Sequence, residues 1–107
     1  MIIIHISPAA ADDFKDIRKY IETELENPAA AFNIISKITK AIHVLATFPD
    51  IGKPLSLITN IQTDYRYLVT GSYHVFYRYN QDDVYIVRIL YSRRDYMRIL
   101  FGEPKDL

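Results

Sequence analysis

The sequence predicts an α+β fold in the order βααβββ: an N-terminal helical hairpin packed on one face of a mainly antiparallel four-stranded sheet. Three observations predict it. A β-branched run opens the chain, two runs at helical spacing follow it, and three runs rich in Tyr, Val and Ile close it. Each helical run is introduced by a capping residue and a proline.

Residues 2–6 are almost continuously apolar and stop at Ser7-Pro8, which suits a central strand buried on both faces. Ser7 can cap a helix whose first turn accepts Pro8. Phe14, Ile17, Ile21 and Leu25 then recur at spacings of three and four, placing the first helix at residues 8–26. Asn27-Pro28 repeats the signal. Ala31, Ile34, Ile35, Ile38, Ile42 and Leu45 follow before Phe48-Pro49, placing the second helix at residues 28–48. So short a connection folds the two helices back on each other.

Residues 49–62 hold Pro49, Gly52 and Pro54 without periodicity, a long loop with a short helical turn near residues 55–58. The runs at 65–70, 73–79 and 84–91 are divided by Gly71-Ser72 and by Asn80-Gln81-Asp82-Asp83, so hairpins join them into an antiparallel meander. Residues 93–100 form a short helix or an extended tail, stopped by Gly102-Glu103-Pro104. Alternation puts Tyr65, Tyr67, Val69, Val75 and Tyr77 against the helices, leaving Arg66, His74 and Arg78 on the other side.

With 107 residues the chain is expected to be a single domain spanning 1–107, and half its residues are hydrophobic, as in a packed globular chain. It contains no cysteine, which excludes disulfides, metal–thiolate sites and thiol catalysis and points to a cytoplasmic protein. No signal segment, membrane anchor or membrane partner is expected. Net charge is zero, so overall basicity gives no argument for nucleic-acid binding. The charge is unevenly placed: residues 12–26 hold six acids against three bases, net −3, and residues 65–101 hold six arginines against three acids, net +3. Eight of the nine tyrosines share that arginine-rich end, a pairing that suits phosphate and base contacts and equally suits ordinary strand packing.

Gly52-Lys53-Pro54 lacks the glycine spacing of a phosphate loop, and His5, His43 and His74 fall on three separate elements. The serines lack a nucleophile-elbow context. No metal or cofactor is expected.

Five strings, read in series, carry a resemblance: Asn27-Pro28-Ala29-Ala30-Ala31, Phe48-Pro49-Asp50-Ile51-Gly52-Lys53-Pro54, Arg66-Tyr67-Leu68, Gly71-Ser72-Tyr73-His74-Val75-Phe76-Tyr77 and Ile89-Leu90-Tyr91-Ser92-Arg93-Arg94-Asp95. Together with the order βααβββ the chain resembles the RelE/ParE superfamily of toxins from bacterial type II toxin–antitoxin modules, also called plasmid-stabilisation proteins. The resemblance implies a growth-inhibiting toxin neutralised by a cognate antitoxin. Its ParE branch poisons DNA gyrase; its RelE and YoeB branches are mRNA interferases that cut messenger RNA on the ribosome without metal. Arg94-Asp95 and the Asn-Pro opening of the second helix resemble the ParE branch more closely.

If the RNA-cleaving chemistry applies, the resemblance assigns Arg66, His74, Arg93, Arg94 and Tyr96 as catalytic candidates, with His74 as the general base. Leu68, His74 and Tyr91 depart from that branch's pattern, so a non-toxic antitoxin-binding relative is a second alternative. A homodimer and a toxin–antitoxin hetero-oligomer are both compatible with the sequence. Read without the resemblance, Arg66 is an ion-pair partner of Asp64 or Asp95, His74 a surface strand residue, and Arg94-Asp95 a local salt bridge.

Overall fold

The computed structural model describes residues 1–102. Its sheet has five strands in the order β1-β5-β4-β3-β2. The meander is as the turn residues foretell: β3 (Arg66–Thr70), β4 (Tyr73–Tyr79) and β5 (Asp83–Tyr91) pair antiparallel. Gly71 turns the first hairpin at φ 60, a left-handed backbone that glycine adopts freely.

Two strands differ from expectation. β1 (Ile3–Ile6) pairs only with β5, in parallel, so it is an edge strand and not a central one. Ile3 and Ile6 accordingly remain 55% and 42% exposed. A second edge strand, β2 (Lys53–Pro54), lies within the long loop opposite Arg66 and Tyr67 and is too short to show a period.

The first helix, α1 (Pro8–Lys19), starts at Ser7, whose Oγ accepts the Ala10 N–H at 3.0 Å and donates to the Val87 carbonyl at 2.8 Å. Val87 sits at a bulge: Phe76 pairs with Arg88 and Tyr77 with Ile86, leaving Val87 unmatched. The end of α1 widens into a π-helical turn over Tyr20–Glu24, and Glu26 turns the chain at φ 50. The second helix, α2 (Pro28–Val44), is capped by the Asn27 side chain. A short 3-10 turn, Leu55–Leu57, follows in the loop, and α3 (Tyr96–Phe101) is capped by Asp95. Of the expected stop signal, Glu103 and Pro104 lie outside the described residues.

Both faces of the sheet are covered. Ile38, Ile42 and Leu45 of the hairpin layer pack on Val75, Tyr77, Val84, Ile86 and Ile89. On the other face Phe76 and Leu90 join Leu55, and Tyr65, Tyr67, Tyr96, Ile99 and Leu100 pack against them. The register overturns the expected sorting of β3. Arg66 pairs with Tyr77 and Leu68 with Val75, so Arg66 and Leu68 look toward the hairpin. Tyr67 pairs with Phe76 and Val69 with His74, so these look the other way.

Candidate functional site

The five residues assigned by resemblance occupy three separate places. Arg66 is on the hairpin side, where its Nη1 donates to the Gly52 carbonyl at 2.9 Å and its guanidinium lies 5.7 Å from the Tyr79 ring centre. The same carbonyl belongs to a loop held from the core. Tyr77 Oη accepts the Gly52 N–H at 2.8 Å and donates to the Pro49 carbonyl at 2.8 Å. Arg66 therefore fixes backbone, and the expected pairing of Arg66 with Asp64 or Asp95 is not what forms.

His74 and Tyr96 meet on the opposite face. The imidazole lies edge-on to Tyr67 at 5.6 Å, to Phe76 at 5.7 Å and to Tyr96 at 6.0 Å. Phe76 and Tyr96 are themselves 5.4 Å apart. Each ring arrives by a local rule: Tyr67, His74 and Phe76 share a face by strand alternation, and Tyr96 opens α3, directly after its Asp95 cap. Burial among these rings pushes the His74 pKa below its ordinary value, favouring the neutral imidazole. Among the described residues its side chain makes ring contacts but no hydrogen bond.

The expectation that Arg66 and His74 share one face is corrected by the register, since Arg66 pairs with Tyr77 and His74 with Val69. Arg78 does share the His74 side, but its Nη2 and Nε both donate to Asp64 Oδ2, at 2.7 and 3.2 Å. Arg93 and Arg94 lie in the turn after β5, where Arg94 N–H donates to the Tyr91 carbonyl at 2.9 Å. The Arg94 side chain lines a groove between α1 and the end of β5, and Asp95 caps α3 without pairing with it.

Cleavage by a ribose 2′-hydroxyl needs a base, a cation at the developing phosphorane and a donor to the leaving oxygen, all converging on a few ångströms. Here the imidazole meets the phenols of Tyr67 and Tyr96, while Arg66 and Arg78 are engaged by other partners and Arg94 lines the groove beside α1. No group of three or more metal-binding side chains occurs among the described residues, and none of their helices is long and apolar enough to cross a membrane.

The residue that sequence reasoning missed is Asp13. It is a buried acid on the apolar stripe of α1, four residues before Ile17 and eight before Ile21. That placement was the available signal. Its carboxylate accepts Arg88 Nε and Nη2 at 2.8 Å each and the Ile89 N–H at 2.8 Å.

Comparison with known proteins bears on this arrangement. A family described as the ParE toxin of the type II toxin–antitoxin system parDE matches residues 4–96. Among solved structures, a chain of the chromosomal ParDE TA system from P. aeruginosa is similar with a TM-score of 0.70 and 19% identity, over 85% of this chain and 96% of that one. No curated protein matches.

Proposed function

Because the chain belongs to the ParE toxin family, and so is the toxin component of a type II toxin–antitoxin module with an antitoxin as its partner, we propose that it acts in the cytoplasm by binding and trapping DNA gyrase. The family's activity is gyrase inhibition, and on this reading the chain poisons by contact and catalyses no reaction of its own.

The observation that supports this most directly is the dispersal of the cations. Arg66 is tied to the Gly52 carbonyl on the hairpin side, Arg78 to Asp64 on the other, and Arg94 lies at the groove. A catalyst of phosphoryl transfer needs such charges gathered where negative charge develops. A protein that binds a protein does not. The C-terminal segment, residues 91–107, is the proposed source of gyrase contacts, of which residues 103–107 lie outside the described residues.

The test is controlled expression without antitoxin, comparing wild type with His74→Phe. Double-strand breaks, filamentation and co-purification of gyrase are expected for both proteins. Wild type that cuts messenger RNA on the ribosome, with cutting lost in His74→Phe, would establish the RNA-cleaving alternative built on His74 and Tyr96. Harmless expression with tight antitoxin binding would mark a non-toxic relative.

A further inference from the structure

Resting on the gyrase-trapping reading, we propose that the contact with gyrase runs beyond the C-terminal segment, across the second face of the sheet, along one row of side chains: Phe101, Tyr65, Arg78, Tyr85 and His5. The row follows from the register. Arg66 pairs with Tyr77, so Tyr65, one residue earlier, falls opposite Arg78; Arg78 pairs with Tyr85, and Tyr85 with His5. Segments far apart in the chain thus bring one side chain each to the same level and, by alternation, to the face that carries His74 and Phe76.

The side chains meet in sequence. Tyr65 stacks on Phe101 with ring centres 5.6 Å apart, the Arg78 guanidinium lies 6.0 Å from the Tyr65 ring centre, and Tyr85 stacks on His5 at 4.9 Å. Phe101 ends α3, so the row is continuous with the segment already proposed to contact gyrase. Tyr96, Ile99 and Leu100 of α3 cover Phe76 and Leu90, yet the row beside them stays open: Tyr85 is 40% exposed, and the side chains of Arg78 and His5 are 51% and 45% exposed. Tyrosine and arginine are the types that dominate the binding energy of protein interfaces. Side chains held in place by neighbours also lose less freedom when a partner docks on them.

Charge decides the kind of partner. Arg78 is bonded to Asp64, and His5 Nε2 stands 2.8 Å from Asp83 Oδ1, so each basic side chain of the row already has an acid beside it. A nucleic-acid backbone is held by cations that neutralise its phosphates, whereas an apolar patch on a protein asks for none. Between Arg78 and Tyr85 opens a hollow of about 270 Å³, below the ~300–1,000 Å³ of small-molecule sites and with room for one inserted side chain. The matching patch of gyrase is therefore uncharged at its centre and offers an apolar side chain to that hollow.

The experiment measures binding of purified gyrase, and separately of DNA alone, to the full chain as wild type, Tyr85→Ala, Arg78→Ala and Phe32→Ala, at low and at high salt. All three positions are exposed, and circular dichroism melting checks that each variant folds. Where an alanine variant does not melt cooperatively, Tyr85→Gln or Arg78→Gln takes its place. Tyr85→Ala and Arg78→Ala are expected to weaken gyrase binding by roughly 30-fold or more, as central anchors do, with little dependence on salt. Phe32→Ala, on the helical hairpin and away from the row, is expected to bind as wild type does. Wild-type affinity in both row variants overturns the row while leaving the gyrase reading intact. Failure of wild type to bind gyrase overturns that reading and the row with it. Binding to DNA alone that falls steeply with salt and is lost in both row variants makes DNA the occupant, and the proposal fails.

Discussion

Asp13 joins α1 to β5 with a carboxylate only 9% exposed, facing a guanidinium 25% exposed. Removing one partner of such a pair strands the other, whereas replacing both with apolar groups can be nearly neutral. Asp13→Asn is therefore expected to cost about 3 kcal/mol in urea unfolding. The double variant Asp13→Leu/Arg88→Met should lose less than Asp13→Leu alone, although the Ile89 N–H still lacks its acceptor. A double variant as unstable as the sum of the singles would mean that the two groups do not act as a pair. His74 gives a prediction of the opposite chemical kind. Burial lowers its folded pKa below the ordinary ~6.5, so in the window just under that value the unfolded chain binds more protons than the folded one. Stability is then unaffected by this residue above pH ~6.5 and falls as pH drops toward the lowered pKa. Denaturation midpoints at pH 7.5 and 5.5 should differ more for wild type than for His74→Phe, which keeps a ring among Tyr67, Phe76 and Tyr96. The same difference in both proteins would remove His74 as the cause.

Among elements, the long loop after α2 shows how a segment without periodicity is held. Tyr77, fully buried on β4, reaches it with one hydroxyl that serves both Pro49 and Gly52, and Arg66 adds a third bond. Tyr77→Phe leaves a carbonyl and an N–H without partners and is expected to cost about 1–3 kcal/mol. Gly52→Ala should cost at least as much, because the new Cβ would lie 2.6 Å from Tyr77 Cε1 and 2.9 Å from the Tyr67 carbonyl. Thermal unfolding of both variants checks this, and two wild-type midpoints would show that the loop is not fixed through Tyr77. That latch was not legible in the sequence, since it joins residues 25 and 28 positions apart. What was legible is local: Ser7-Pro8 and Asn27-Pro28 as helix starts, Gly71-Ser72 as a hairpin, and the meander itself. β1 was misplaced because an apolar run reads alike at the centre of a sheet and at an edge. The faces of β3 were inverted because alternation assumes one wet face, and here α3 covers the second. The Tyr96, Ile99 and Leu100 stripe was the hint, at helical spacing and in need of a surface. Of the candidate residues, only His74 and Tyr96 come together. Register carries Arg66 to the opposite face and Arg94 lines the groove beside α1, and no local pattern encodes that.

At the scale of the molecule, the sheet is built from a meander of neighbours closed by a strand from the far end of the chain. β1 reaches β5 across about eighty residues, as the His5–Asp83 contact at 2.8 Å shows. Closing so long a loop costs entropy that only the finished meander and hairpin layer can offset. The two edges of the sheet also differ from its middle. β4 and β5 carry Val75, Phe76, Tyr77, Val84, Ile86, Ile89 and Leu90, all buried, while β1 exposes Ile3 and Ile6 and β2 spans two residues. Native-state hydrogen exchange should therefore rank the amides. The slowest are expected at Val75, Tyr77 and Ile86 and approach the global unfolding free energy; those of β1 and α3 open by smaller excursions and exchange sooner. Protection of β1 equal to that of β4 would show that the N-terminal strand opens only when the whole fold does. The chain would then be one cooperative unit, with no loosely held edge.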